Sequence, residues 1–402
     1  MNNMIKMKHI STITFIASLL FFNTAVRSAD NPVKAAQILW MGCKNIHEVK
    51  SSIVRMKMSG INTLIIRVFQ NKYDRVYTFA NYPNLFMSAP RNLTGVYFNT
   101  SHAPVIADIL KEMTVIAHEN NMKIFVLMTT RKSDWLIERN PDLRESLYDL
   151  KSGDIVKGES LNIFNLQVVE ILKDVYRDLA RYNIDGIIFQ DDLVLRHTEG
   201  FSQEARLLFR QDTDFEAEPS LMYKDIFESY GKYYVSSYTP SFWKWSEWKS
   251  QRLLLLASEL MSAAREVNPD LKFAINLYYE TLTSPRNALA WLSQDFNGVA
   301  KYKFDYFSVM AYHRQMEKEL GLSGDEIYRM LSEMVGTITN KVNDPQKILI
   351  KVQLVDWDTK RDISDTEIEK VIHSVKKNGN VSLSLVPVTE DTSLEVIKKV
   401  FN

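Results

Sequence analysis

Cysteine is almost absent from this sequence: Cys43 is the only one among 402 residues. A single cysteine excludes an internal disulfide and a cysteine-based zinc cluster, so packing alone must stabilise the fold. An excess of charge is also lacking, because 49 Lys and Arg residues balance 49 Asp and Glu residues. A chain without net charge gives no electrostatic reason to expect nucleic acid or an anionic membrane surface as a partner.

Several short motifs of enzyme active sites are missing as well. There is no GxSxG elbow, no phosphate-binding loop and no GxGxxG after a strand, which removes the serine hydrolase, kinase and dinucleotide-binding classes that use them. No HxH, HxxE or HExxH spacing indicates a metal site. The sequence therefore predicts no metal and no cofactor, and it leaves open a mechanism that depends on carboxylates alone.

A long apolar run occurs only near the N-terminus. Basic residues precede Ile10–Phe22 and small residues follow near Ser28, as in a secretory signal peptide. We predict that residues 1–28 are this signal peptide, with cleavage after Ala25 or retention as a signal anchor as alternatives. The mature protein is then expected in the periplasm or outside the cell, without stable membrane insertion.

Apolar, β-branched segments alternate with amphipathic segments from residue 31 to residue 402. The predicted strands are Ala36–Met41, Thr63–Phe69, Lys123–Met128, Ile184–Gln190, Lys272–Tyr278, Asp305–Tyr312, Ile348–Val355 and Val381–Val386. The predicted helices are Ile46–Met58, Val105–Asn120, Leu166–Tyr182, Trp248–Val267, Asn287–Phe296, Asp325–Val342, Asp365–Lys377 and Thr392–Phe401. Eight strand–helix units predict a (β/α)8 TIM barrel, an α/β fold, over a doubly wound open sheet.

Three connections are much longer than is usual between a strand and the next helix. They span residues 70–101, 129–164 and 191–242, and each follows a predicted strand. In a barrel this is the face that contains the active site, so we expect long βα loops that form the walls of a substrate cleft.

The segment Ile184–Leu195 reads IDGIIFQDDLVL, a buried strand that ends in two carboxylates. Because side chains alternate along a strand, Asp191 and Asp192 should not both face the barrel mouth. We predict both as catalytic residues, and Asp192, one residue further out, is slightly favoured as the proton donor or nucleophile. The alternative is that both only accept hydrogen bonds from loop or helix amides. Asp185 begins the strand and is expected to be structural.

Polar and aromatic residues follow other predicted strands. Glycosidic cleavage needs two carboxyl groups, and the candidate partners for the aspartate pair are Glu280 and Asp356. Aromatic rings present flat apolar faces that stack on sugars, and amides bind sugar hydroxyl groups. The predicted substrate-binding residues are Tyr279, Glu280, Tyr312, Gln353, Asp356 and Trp357.

Three tryptophans cluster in the segment SFWKWSEWKS. Trp245 and Trp248 share a face at helical spacing, and Trp243 does not quite join it. We expect Trp248 to pack in the core, whereas Trp243 or Trp245 could form the floor of a sugar subsite.

The chain resembles the C-terminal glycoside hydrolase domain of PgaB-type poly-β-1,6-N-acetylglucosamine N-deacetylases. The resemblance implies a (β/α)8 barrel that cleaves partially deacetylated poly-β-1,6-N-acetylglucosamine, a biofilm exopolysaccharide, without a metal, and it assigns the chemistry to Asp191 and Asp192. The matching segments are Asp174–Leu195, Trp248–Leu260, Phe273–Glu280, Phe304–Tyr312 and Ile350–Trp357.

Three departures from that family are visible in the sequence. There is no room for the metal-dependent deacetylase domain that precedes the hydrolase in two-domain members. Gln190 stands where the family typically has histidine, and glutamine cannot titrate near neutral pH. Glu280 stands where we expect a non-acidic residue in the family, and it could bind a cationic glucosamine unit.

These patterns lead to a secreted, endo-acting glycosidase on an amino-sugar polymer as the first hypothesis. A barrel that binds the exopolysaccharide without cleaving it is the second, motivated by Gln190. A glycosidase on another amino-sugar polymer is the third. Retention, inversion and participation by a substrate N-acetyl group all remain open, because the choice depends on the separation of the carboxyl groups.

Overall fold

Eight parallel strands close into a barrel in the computed structural model, which describes residues 31–72, 74, 78–79 and 93–401. Each strand pairs with its chain neighbours, and the last pairs with the first, so the order around the barrel is the chain order. The predicted TIM barrel is therefore confirmed. The strands are β1 Lys34–Ile38, β2 Thr63–Arg67, β3 Lys123–Met128, β4 Gly186–Phe189, β5 Lys272–Tyr278, β6 Tyr306–Ala311, β7 Ile348–Gln353 and β8 Ser382–Val386.

A helix follows each strand, and accessory helices lie in the connecting segments. The helices after β1 to β8 are α1 Ile46–Met58, α2 Leu110–Glu119, α3 Leu166–Ala180, α4 Pro240–Val267, α5 Pro285–Leu292, α6 Gly324–Val342, α7 Asp365–Lys376 and α8 Leu394–Phe401. The accessory helices are Asp134–Arg139, Gln203–Thr213, Glu280–Thr283, Phe296–Val299 and His313–Leu320.

The strands read as continuous apolar runs because both of their faces are covered. One face packs inside the barrel, where a small cluster includes Ile65, Phe125 and Leu349. The other face packs against the helices in a much larger cluster, which includes Ile350 and Val352 of β7. Alternation along β7 therefore turns Leu349, Lys351 and Gln353 inward. The same alternation decides which residues near the carboxyl ends of the strands face the barrel mouth.

The amino ends of two strands are fixed by aspartates. Asp185 accepts a hydrogen bond from the amide of Ile124 at 2.8 Å and lies 2.9 Å from His118 Nε2. Asp305 accepts one from the amide of Phe273 at 2.9 Å. Each carboxylate thus ties the start of its own strand to the neighbouring strand, which confirms the structural role predicted for Asp185.

Gly186 begins β4 because the barrel interior leaves no room for a side chain there. A Cβ at this position would lie 3.0 Å from ring carbons of Phe125 on β3. Carbon atoms at that separation repel, so any larger residue would force the aromatic ring to move.

The long loops after β2, β3 and β4 contain small antiparallel sheets of their own. Arg144–Tyr148 pairs with Ile155–Leu161, Tyr223–Ser229 pairs with Lys232–Tyr238, and Phe69–Gln70 pairs with Gly95–Val96. The predicted signal peptide lies outside the described residues. Within the described part of the chain, no helix is long and apolar enough to cross a membrane.

Candidate active site

The carboxyl end of β4 presents Asp191 and Asp192 in two different environments. Asp192 is buried, with 6 % of its surface exposed. Its Oδ2 accepts hydrogen bonds from the amides of Thr130 and Lys132, both at 2.8 Å, and lies 2.6 Å from the hydroxyl of Thr129. Its Oδ1 lies 3.1 Å from the hydroxyl of Thr130. The carboxylate therefore anchors the loop after β3 to the end of β4.

Asp191 is only half-buried and has a raised pKa. Burial is the main cause, because it disfavours the charged form, and the negative charge of Asp192 acts in the same direction. Lys351 and Lys132 oppose the shift with their positive charges. A carboxyl group with a raised pKa keeps its proton to higher pH than an ordinary one, which suits it to donate a proton.

These two environments favour Asp191 over Asp192 as the proton donor, the opposite of the slight preference drawn from the sequence. Asp192 lies further along the chain but turns toward the loop after β3, where four donors occupy both of its oxygens. The alternative prediction, in which the aspartates only accept hydrogen bonds from loop or helix amides, therefore fits Asp192. It does not describe Asp191, whose raised pKa reflects burial rather than hydrogen bonding.

Two tyrosines lie close enough to Asp191 to respond to its charge. Burial and then the negative charge of Asp191 raise the pKa of the Tyr278 and Tyr312 phenols well above the ordinary range. The Tyr278 hydroxyl donates to the backbone carbonyl of Asp191 at 3.4 Å. Trp357 meets Tyr312 edge to face, with ring centroids 5.7 Å apart. Half-buried aromatic residues therefore surround the candidate acid on the side of β5 to β7.

Gln353 lies at the inner face of β7 and is fully buried. Its Nε2 donates to the carbonyl of Val355 at 2.8 Å, which orients the amide. Its Oε1 is buried without a hydrogen-bond partner among the described residues. An oriented amide with a free acceptor can bind a sugar hydroxyl or a water molecule.

The structure turns Tyr279 away from the barrel interior and gives Asp356 a capping role. Tyr279 is 5 % exposed, belongs to the outer core, and donates its hydroxyl to Glu319 at 2.9 Å. Its neighbour Tyr278 takes the inward position because side chains alternate along β5. Asp356 accepts hydrogen bonds from the amides of Thr359 and Asp358, which lower its pKa and make it the cap of a turn.

Glu280 begins the short helix Glu280–Thr283 after β5. Burial and then the charge of Glu319 raise its pKa, and its Oε2 is buried without a hydrogen-bond partner among the described residues. Its charge also contributes to the raised pKa of Tyr278. Glu280 is therefore near the tyrosine that contacts Asp191, and it has an oxygen available for a ligand.

Lys351 is the main residue of the site that the sequence reasoning missed. It lies at the inner face of β7, is 1 % exposed, and has a pKa lowered by burial to about 7. The signal was present in the sequence as one lysine inside the apolar strand ILIKVQ. Buried lysines are rare in strands that are covered on both faces, so such a residue indicates a specific role.

A buried ion cluster supports the loop that Asp192 anchors. Arg131, which is 2 % exposed, forms ion pairs with Glu145 at 2.5 Å and with Glu199 at 3.0 Å. Lys249 of α4 donates to the carbonyls of Arg196 and Glu199 at 2.8 and 3.1 Å. The loop after β3 is thus held from one side by Asp192 and from the other by this cluster.

The tryptophan cluster is mainly part of the core. Trp245 is fully buried and stacks on Trp248 with centroids 4.8 Å apart, as the shared helical face predicts. Its burial excludes it as the floor of a subsite. Trp248 donates to Asp212 at 2.7 Å, and Trp243 carries the guanidinium of Arg286 over its ring at 4.5 Å. No group of three or more His, Cys, Asp or Glu side chains in the described part of the chain is arranged to hold a metal ion.

A family model described as hypothetical glycosyl hydrolase family 13 matches residues 54–385. The chain belongs to this family. Membership of hypothetical glycosyl hydrolase family 13 confirms the expectation of a glycoside hydrolase, whose barrel and paired aspartates are described above. No curated protein matches the sequence.

Solved structures of other glycoside hydrolases share the barrel of this family member. The PgaB (BpsB) glycoside hydrolase domain from Bordetella bronchiseptica superimposes with a TM-score of 0.73 at 17 % identity, over 92 % of this chain and 99 % of that one. The catalytic domain of β-amylase from Paenibacillus polymyxa gives 0.57 at 11 %, over 92 % and 98 %. The β-galactosidase from Marinomonas ef1 gives 0.58 at 10 %, over 92 % and 58 %. The resemblance to the PgaB-type domain is thus confirmed as a likeness of fold.

Proposed function

We propose that this glycoside hydrolase acts outside the cytoplasm as an endo-acting enzyme on partially de-N-acetylated poly-β-1,6-N-acetylglucosamine. Asp191 is the general acid in this proposal. The observation that carries it is the contrast between two adjacent carboxyl groups, one whose pKa is raised by its environment and one fixed by four donors. Pairs of acids whose environments differ in this way commonly divide catalytic roles. The substrate class is supported by the sequence segments that resemble PgaB-type domains.

The proton donor must reach the glycosidic oxygen while it is still protonated. Burial and the charge of Asp192 raise the pKa of Asp191, which favours the second condition. Asp191 meets the first because it lies at the carboxyl end of β4, the end at which barrel enzymes bind substrate. Proton donation to the leaving oxygen by such a group accelerates cleavage by about 100- to 10,000-fold.

A second group must stabilise the positive charge that develops at C1 of the sugar during cleavage. Asp192 has both oxygens engaged by donors from residues 129–132, and Asp356 is engaged by the amides of its own turn. Asp192 is therefore poorly placed to attack the anomeric carbon, and Asp356 caps its own turn through Oδ1. This arrangement favours a route in which the N-acetyl group of the substrate takes the place of the second carboxylate. Such a route requires an acetylated sugar at the cleavage position, so a fully deacetylated polymer should resist cleavage.

The aromatic residues beside Asp191 supply contacts for the polymer. Tyr312 and Trp357 meet at 83° between their ring planes, so their two faces point in different directions. One sugar ring can stack on one of these faces. The flexible β-1,6 linkage then lets the next sugar turn toward the other face. Glu280, with a buried free oxygen, is suited to a deacetylated, cationic unit. A partially acetylated substrate would then supply an N-acetyl group at the cleavage position and a cationic amine for Glu280.

The decisive experiment is mass spectrometry of defined β-1,6-linked oligomers, fully acetylated, partially acetylated and fully deacetylated. Mature wild-type protein is compared with Asp191→Asn, and Asp270→Asn serves as the control because this aspartate is exposed before β5. We expect shorter products from partially acetylated oligomers with wild type and control, and at least 100-fold less with Asp191→Asn.

Other outcomes would replace the proposal. Equal cleavage by Asp191→Asn would remove this residue as the acid. Binding of the oligomers without any product would support an exopolysaccharide-binding barrel instead. Cleavage of another amino-sugar polymer only would retain the glycosidase and change its substrate.

A further inference from the structure

Lys351 is buried at the inner face of β7, and no ion pair of the described residues includes it. On β7 it lies between the inward-facing Leu349 and Gln353. Its register partners on the two adjacent strands are Met310 and Ser384, which are uncharged. The described residues supply no hydrogen-bond acceptor to its ammonium group. A buried cation without a local partner is costly, so its charge must be stabilised from farther away.

The strand register places Asp191 at the same end of the interior. Tyr278 pairs with Met310, which pairs with Lys351, and the Tyr278 hydroxyl donates to the Asp191 carbonyl at 3.4 Å. Among the charged groups, Asp191 is the one that opposes the lowering of the Lys351 pKa, and Lys351 in turn opposes the rise in the pKa of Asp191. Strand β7 lies three strands from β4 around the barrel, so the lysine side chain must extend across the interior toward the mouth. The other groups that face Asp191 are the carboxylate of Asp192, the ammonium of Lys132 and the phenol of Tyr278. The Tyr312 phenol also responds to its charge.

The interior around Lys351 is unusually polar for a barrel of this type. Five buried side-chain oxygens on β1 and β5 to β8 have no hydrogen-bond partner among the described residues, and by strand parity all five point inward. Unpaired acceptors at such density are normally satisfied by ordered water, which also solvates an ammonium group. The five atoms are Gln37 Oε1, Asn276 Oδ1, Ser308 Oγ, Gln353 Oε1 and Ser384 Oγ.

We propose that Lys351 is a positioning residue that sets the acid strength of Asp191 from across the barrel. Its catalytic consequence rests on the proposed function. When the O–H bond of Asp191 breaks, the proton passes to the glycosidic oxygen, which becomes the hydroxyl of the departing sugar as its bond to C1 breaks. The carbonyl oxygen of the substrate's N-acetyl group forms the new bond to C1, and the resulting oxazolinium ion carries the positive charge. The carboxylate left on Asp191 lies beside Asp192 and needs a compensating positive charge. Lys351 provides it without contacting the substrate.

The coupling itself is tested without any substrate. The side-chain carbons of Lys351, labelled with ¹³C and assigned by comparison with a Lys351→Met spectrum, are followed by NMR as a function of pH. In Asp191→Asn the Lys351 titration should move to lower pH by about one unit, since an opposite charge shifts a neighbour by about 1–3 units. The control variant Asp270→Asn should leave it unchanged. An unchanged titration in Asp191→Asn would overturn the inference.

The catalytic consequence is tested by the pH profile of kcat/KM. Lys351→Met should raise the pH at which activity is lost by about one unit and lower the plateau at least tenfold, because Asp191 becomes a weaker acid. Lys351→Arg keeps the charge, so the basic limb should stay where it is in wild type. A rate loss without movement of the limb would show a merely structural role. If wild type cleaves no oligomer at all, the proposed function fails while the NMR result still decides the coupling.

Discussion

The two adjacent aspartates should respond to mutation in opposite ways when stability is measured. Replacing Asp192 by alanine removes the acceptor for the amides of Thr130 and Lys132 and for the hydroxyls of Thr129 and Thr130. Replacing Asp191 by asparagine removes a charge that the fold disfavours, as its raised pKa indicates. The first change should unfold the protein more easily, and the second should not.

The magnitude for Asp192→Ala follows from its hydrogen bonds. A hydrogen bond to a charged acceptor contributes about 1.5–3 kcal/mol, so two amides left unpaired correspond to about 3–6 kcal/mol. Lys132 is exposed, and water can replace its lost acceptor in part. We therefore expect the free energy of unfolding to fall by about 3 kcal/mol. Asp192→Asn, which keeps one acceptor oxygen, should lose about half of that.

The sign for Asp191 comes from linkage between protonation and folding. Its pKa is higher in the folded than in the unfolded chain, so its ionisation destabilises the fold as the pH rises above the ordinary value of 3.8. At pH 7, Asp191→Asn should be as stable as wild type or more stable. At pH values below the ordinary pKa, where both states are protonated, the difference should vanish.

Urea unfolding followed by tryptophan fluorescence measures both effects, with the transition midpoint and slope compared among the variants. The chain contains seven tryptophans, so the signal is strong. A loss of more than 1 kcal/mol in Asp191→Asn, or an unchanged midpoint in Asp192→Ala, would refute the division of roles between the two carboxyl groups.

Three further predictions follow from other parts of the chain. Activity should be present at acidic pH and lost as the pH rises through the raised pKa of Asp191, which a pH profile of kcat/KM measures. Gly186→Ala should lower the free energy of unfolding by about 1–3 kcal/mol, and combining it with Phe125→Leu in urea unfolding should cost less than the sum of the two. N-terminal sequencing of exported protein should begin at Ala29, and an intact Met1 in that fraction would contradict the predicted signal peptide.

The barrel was predictable because each strand carries its own signal. Lys123–Met128 and Lys272–Tyr278 have the bounds that the sequence predicts, since both are continuous apolar runs bordered by polar residues. The hairpin formed by Tyr223–Ser229 and Lys232–Tyr238 was not predicted. Its strands are largely exposed and alternate too weakly to be distinguished from a loop. Helix α4 begins at Pro240 rather than at Trp248, and the overlooked signal is Thr239, whose hydroxyl caps the helix before the proline.

The site was predictable in position but not in detail. Strand ends locate Asp191, Asp192, Tyr312 and Gln353 at one mouth, because parallel strands finish at the same edge. Which of two adjacent residues faces inward depends on where the strand ends, since side chains alternate along it. At the end of β5 this places Tyr278 inward, beside Asp191, and Tyr279 outward, where it contacts Glu319. The coupling that we propose would join β4 to β7. Lys351 stands out inside the apolar strand ILIKVQ, but nothing in the local sequence shows which group it acts on.

The contacts that hold the loop after β3 have a consequence for ligand binding. Asp192 holds this loop on one side, and the ion cluster of Arg131, Glu145 and Glu199 holds it on the other. A wall that is already ordered loses little conformational entropy when a ligand arrives, whereas each side chain that must be immobilised costs about 0.5–1.5 kcal/mol. Affinity can then arise from few sugar contacts, so even short oligosaccharides should bind with a largely enthalpic signature in calorimetry.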